Sequence, residues 1–166
     1  GYTRVYLSGG VNDCYDNNLR STVQLVTGMP GENWSTIRET AKFLRKCPKY
    51  ASDTTPRISI NVPVAFPGTP LYRRGLEKGI IANQDEYLES LFDSATWRTH
   101  NFTDYSNETL YFWISYLLFS YNSSHYFKAR CFSPWINEYL SFTRRCISFV
   151  LPKPIKRVLK KLLGKK

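Results

Sequence analysis

Cysteine is sparse and scattered. Cys14, Cys47, Cys131 and Cys146 lie no closer than 15 positions apart. That spacing excludes a local C-x-x-C redox pair and a zinc-type His/Cys cluster, and reduced thiols in a cytoplasmic setting are the expectation. His100 and His125 have no acidic or cysteine partner at ligand spacing, so both read as surface or packing residues. No apolar run reaches the roughly 20 residues of a membrane span. The densest, Leu110–Tyr121 (LYFWISYLLFSY), has 12 and reads as a buried helix. No basic stretch precedes an apolar one at the start, so no signal peptide is visible. The beginning at Gly1, directly before a strand-like segment, reads as a truncated or processed start. Without a signal peptide, the N-x-[ST] triplets at Asn33, Asn101, Asn107 and Asn122 read as chance occurrences.

Acid is missing from residues 153–166, which hold Lys153, Lys156, Arg157, Lys160, Lys161, Lys165 and Lys166. This segment supplies +7 of the formal net charge of +10, leaving +3 for the rest. The basicity therefore belongs to a tail, and it argues against nucleic acid as a partner. Ile155, Val158, Leu159, Leu162 and Leu163 recur at helical spacing, with lysines filling the other face. Such a tail suits contact with an anionic membrane surface.

The chain has 166 residues, of which 42% are hydrophobic and 16% aromatic. That suffices for one domain with a core, or for a piece of a larger protein. Tyr2–Ser8 reads as a short strand ended by Gly9-Gly10, but the polar stretch after it lacks the period of a crossover helix. Thr22–Thr27 is a second strand, stopped by Gly28 and turned by Pro30-Gly31. Asn33 is placed to cap a helix up to Cys47, and Thr36-x-x-Glu39 offers an inner capping box. Trp34, Ile37, Ala41 and Leu44 form the apolar face of this helix. Arg57–Ala65 returns as a strand whose Pro63 points to an edge or bulge. The turn Phe66-Pro67-Gly68-Thr69-Pro70 leads into a helix over Leu71–Lys78, with Leu71, Gly75 and Leu76 inward and Gly79 as its stop. Strand, helix, strand, helix in this order is α/β with parallel pairing. Helices are also expected over Gln84–Phe92, from Ser106–Glu108 onward, and over Asn137–Leu151.

Two turns carry the functional content, because in α/β proteins ligands gather at the carboxyl ends of parallel strands. In VQLVTGMPGE, residues Gly28, Met29, Pro30, Gly31 and Glu32 offer backbone N–H groups at a helix start. Glu32 also suits the positive end of the helix dipole. Pro67, Gly68 and Thr69 form the second turn, with Thr69 as helix cap or ligand contact.

Gly28–Glu32, together with Pro67-Gly68-Thr69-Pro70-Leu71-Tyr72, resembles the C-terminal half of radical SAM enzymes of the cobalamin-binding-domain type. These include the anaerobic magnesium-protoporphyrin ester cyclase type. Thr36-Ile37-Arg38-Glu39-Thr40, Glu77-Lys78-Gly79-Ile80-Ile81, Asp85–Leu88 and Asn101–Glu108 extend the resemblance, in order, over residues 23–108. It implies the distal part of a (βα)6 partial TIM barrel over 1–95, a helical extension over 96–151 and the basic tail over 152–166. It also implies S-adenosylmethionine bound beside Gly28, Met29, Pro30, Gly31 and Glu32, with Pro67, Gly68 and Thr69 near substrate or cofactor. A [4Fe–4S] cluster would cleave S-adenosylmethionine reductively to a radical that acts on a small-molecule substrate. The C-x3-C-x2-C motif for that cluster is absent here. In this reading its ligands, and any cobalamin site, belong to an upstream domain of the same polypeptide. The competing expectation is a non-catalytic, degenerate barrel module that binds a partner or a membrane surface.

Overall fold

The computed structural model describes residues 13, 14, 16, 17, 19, 21–47, 56–92 and 100–150. The strand expected over Tyr2–Ser8 and the basic tail over 152–166 lie outside them. The described chain is mixed α/β and mostly helical. Its order is β1 (Val23–Val26), α1 (Trp34–Lys46), β2 (Ile58–Asn61), α2 (Pro70–Glu77), α3 (Gln84–Phe92), α4 (Asn107–Lys128) and α5 (Phe132–Val150). The strands pair in parallel, with Val23 opposite Ile58 and Val26 opposite Asn61. β2 is shorter than the Arg57–Ala65 expected, and its ladder stops before Pro63, which has no N–H to give.

Alternation along the strands sets the layers. Val23, Leu25, Ile58 and Ile60 face a core built from Ile37, Ala41 and Leu44 of α1, Cys47 at its C-cap, and Trp113, Leu117 and Tyr121 of α4. Both helices therefore cover one face of the sheet. The other face carries Gln24, Val26, Ser59 and Asn61, of which Gln24 and Val26 are exposed. Burial pushes the Cys47 thiol up to about 11, so it behaves as an apolar core residue.

The α1–α4 seam is closed by polar groups at the α1 C-terminus, where carbonyls have no helical partner. Ser124 Oγ and Lys128 Nζ donate to the Arg45 carbonyl at 2.9 and 2.8 Å. Arg45 Nη2 donates to Tyr116 OH at 2.9 Å. Trp34, expected on the buried face, is 41% exposed and meets Tyr116 at a tilt instead, with ring centroids 5.1 Å apart.

A second core of Ala65, Tyr72, Ile81, Tyr87 and Phe102 joins α2, α3 and the loop before α4. Leu76, expected inward, is 48% exposed, and Tyr72 takes the inward position beside Gly75. The cause is close approach at Gly75: a Cβ there would stand 2.7 Å from Ile81 Cδ1 and 3.0 Å from Phe102 Cε1. Glycine lets Ile81 and Phe102 close over the helix, and Tyr72 fills the adjoining space. His100 meets Tyr87 edge-on at 4.7 Å, and burial lowers its pKa. His125 is buried between the rings of Tyr121 and Tyr126.

α5 begins at Phe132, five residues before the start expected from sequence. Pro134 sits in its first turn, where a missing N–H costs no helical hydrogen bond. α5 folds back on α4 through stacked rings, Phe119 on Phe142 at 4.2 Å and Phe112 on Phe149 at 4.6 Å. Among the described residues, no helix is long and apolar enough to cross a membrane.

Candidate functional site

The Gly28–Glu32 turn follows β1 at its carboxyl end. Glu32 N–H donates to the Met29 carbonyl at 3.2 Å, with Pro30 and Gly31 between them and Gly31 at φ +83°. That is the pattern of a type II turn, in which proline fixes the first corner and glycine permits the second. The Glu32 side chain then reaches back to the strand end. Its Oε2 accepts from Gly28 N–H at 2.7 Å and from the Thr27 hydroxyl at 3.0 Å. Thr27 is 2% exposed, so an acceptor for its hydroxyl is a structural requirement.

Gly28 adopts φ +98°, and a Cβ there would stand 3.3 Å from Pro63 Cδ and 3.4 Å from Leu110 Cδ1. The close approach that this glycine allows is therefore to the segment after β2 and to the start of α4. Its N–H is spent on Glu32. The N-terminus of α1 is likewise occupied: Asn33 Oδ1 accepts from Ser35 N–H at 2.9 Å and from Thr36 N–H at 3.2 Å. Thr36 Oγ1 accepts from Asn33 N–H at 3.1 Å, completing a capping box. The box is thus Asn33–Thr36 rather than Thr36–Glu39. The helix start expected to offer N–H groups to a ligand has these donors engaged internally. What the turn presents to solvent is Met29, 42% exposed, and Gly31, with no atom within 4 Å of a Cβ built on it.

The second turn repeats the local design. Thr69 N–H donates to the Phe66 carbonyl at 3.1 Å across Pro67 and Gly68, the latter at φ +86°. Thr69 then caps α2, its Oγ1 accepting from Tyr72 N–H at 3.2 Å, and Pro70 occupies the first helical turn. Phe66 is 60% exposed. The strand-side end of this turn is held from a distance: the Tyr87 hydroxyl accepts from Ala65 N–H at 3.0 Å and donates to its carbonyl at 2.9 Å. Burial raises the pKa of that hydroxyl. The far end of α2 is fixed by Asp104, which pairs with Lys78 and, at 3.1 Å, with Arg74.

The structure thus places Gly28–Glu32 and Pro67–Thr69 on the turns that follow the two parallel strands. Sequence reading missed the clasp of Tyr87 on Ala65, which links positions 22 apart and leaves no local pattern. An open cleft of about 260 Å³ between α4 and α5, lined by Glu108, Phe112, Arg145 and Phe149 among others, includes none of the turn residues.

A metal cluster does not fit the described residues. No group of three or more His, Cys, Asp or Glu among them is placed to hold an ion. Cys14, Cys47, Cys131 and Cys146 are free thiols. No protein-family model matches this chain, and no curated protein or solved structure matches it.

Proposed function

We propose that the chain is the C-terminal part of a radical SAM enzyme of the cobalamin-associated type, contributing one wall of a partial barrel. The observation that carries this reading is the parallel pair β1–β2. Its face turned away from α1 and α4 bears the polar Gln24, Ser59 and Asn61 beside Val26, and the Gly28–Glu32 and Phe66–Pro70 turns follow its two strands. In a (βα) barrel the helix-free face of the sheet lines the interior, and ligands bind at the carboxyl ends of the strands. The ordered motif matches over residues 23–108 point the same way.

In this reading S-adenosylmethionine lies against Met29, Pro30 and Gly31, with Gly28 and Glu32 holding the turn in shape. Glu32 is then a positioning residue, because its bonded carboxylate oxygen already takes both Gly28 N–H and the Thr27 hydroxyl. Pro67, Gly68 and Thr69 border the neighbouring strand end, on the substrate side. The [4Fe–4S] cluster, which in such enzymes cleaves S-adenosylmethionine reductively, takes its thiolates from the upstream part of the polypeptide. The product class, cyclised or methylated, depends on that part as well.

The test uses the polypeptide encoded by this chain together with the sequence upstream of Gly1. Reconstituted anaerobically with iron and sulfide and then reduced, it should release 5′-deoxyadenosine from S-adenosylmethionine. An upstream sequence without C-x3-C-x2-C, or an assembled cluster that releases none, overturns the proposal.

A further inference from the structure

The α5 helix divides its apolar side chains between two directions. Trp135, Phe142, Cys146 and Phe149 lie toward α4, where Phe119 and Phe112 stack on Phe142 and Phe149. Phe132, Ile136, Leu140, Ile147 and Val150 fall on the adjoining side, and each is between 50% and 78% exposed. On a helical wheel these five, with Thr143 among them, form a stripe less than a quarter-turn wide. The stripe is about 27 Å long. No residue of α5 is buried, although the helix is rich in large apolar side chains. A continuous apolar surface of this length marks an interaction site.

Charge decides what covers it. Arg144 borders the stripe on its polar side. The one acid in α5, Glu138, lies with Arg145 on the face turned away from the stripe. The chain directly after α5 carries seven lysine and arginine residues between 153 and 166 and no acid. A second copy meeting this stripe would bring the same positive charge to the seam. An anionic bilayer complements both features, taking the apolar stripe at its acyl boundary and the cations at its headgroups. We propose that the exposed face of α5 docks in the plane of an anionic lipid surface. The proposal stands independently of the radical SAM reading.

Flotation of the full chain tests it, with vesicles of phosphatidylcholine alone or containing roughly one-quarter phosphatidylserine. The wild type should float with the anionic vesicles and far less with the neutral ones. The triple variant Ile136→Ser, Leu140→Ser, Ile147→Ser should lose at least about tenfold in partitioning while keeping its helical circular dichroism. Equal flotation of variant and wild type would place binding in the basic segment alone and overturn the role of α5. A wild type that ignores lipid but forms a dimer dispersed by the variant overturns it in favour of self-association. Ile147→Trp supplies a second readout on an apolar side chain retained at an exposed site. Its added emission should shift to the blue on anionic vesicles, and an unshifted signal contradicts docking.

Discussion

The two Pro-Gly turns are locally the same device and structurally opposite in how they are held. Each spans four residues with proline then a positive-φ glycine at its corner, and each leads into a capped helix. The first is locked from within, because Glu32 folds back on Thr27 and Gly28 while Gly28 wedges against Pro63 and Leu110. The second is locked from outside, by a tyrosine from α3 that grips the backbone of Ala65. An acid at a strand-to-helix turn is therefore not by itself a ligand contact. Here it replaces the anchoring that a distant side chain supplies in the other turn.

The contrast breaks most visibly at Glu32. Glu32→Ala strips the acceptor from Gly28 N–H and from the buried Thr27 hydroxyl. The expected loss is about 3 kcal/mol in chemical denaturation, at roughly 1.5 kcal/mol for each orphaned donor. A loss within the scatter of a surface substitution would mean that water replaces the carboxylate. Tyr87→Phe is the matching cut in the second turn. Removing the hydroxyl leaves both buried groups of Ala65 without this partner and should cost about 2 kcal/mol, with α3 still helical. Thr69→Ala removes only a helix cap and should cost about 1 kcal/mol. A Thr69 loss as large as that at Glu32 would erase the distinction between a local and a tertiary lock.

The smallest effect is electrostatic. Lys78, through its hydrogen bond and charge, and then Arg74 hold the Asp104 carboxyl below its ordinary value of 3.8. A carboxylate whose pKa is depressed on folding contributes stability above its unfolded pKa and loses it as pH falls. Acid titration from pH near 5 downward should therefore show a shallow decline that Asp104→Asn flattens. A slope unchanged by that substitution would assign the decline to other carboxylates.

Much of this was legible in the residues. Asn33, Thr69 and Ser106 announce helix starts, because short polar side chains satisfy donors that a helix leaves open. The Gln84–Phe92 helix falls where its spacing puts it. The parallel order of β1 and β2 follows from the strand–helix–strand pattern. The error at Leu76 has its cause in tertiary contact, and those at the helix starts are local. Leu76 has the better hydrophobic claim to the core, but the approach of Ile81 and Phe102 over Gly75 turns Tyr72 inward instead. The last helix, expected from Asn137, begins at Phe132, with Pro134 in its first turn, where no N–H is needed. Glu32 looks free at a helix start, and its use is set by where the β1 backbone ends. The choice at Leu76 depends on distances between segments, which spacing along the chain does not encode.

Hydrogen exchange at the Gly28 amide tests most directly whether the first turn is locked by its own acid. The wild type should protect this amide, and Glu32→Ala should return it to the exchange rate of an open loop, with the α1 amides still protected. A Gly28 amide that exchanges freely in the wild type would contradict the account and return the Glu32 carboxylate to direct contact with a ligand.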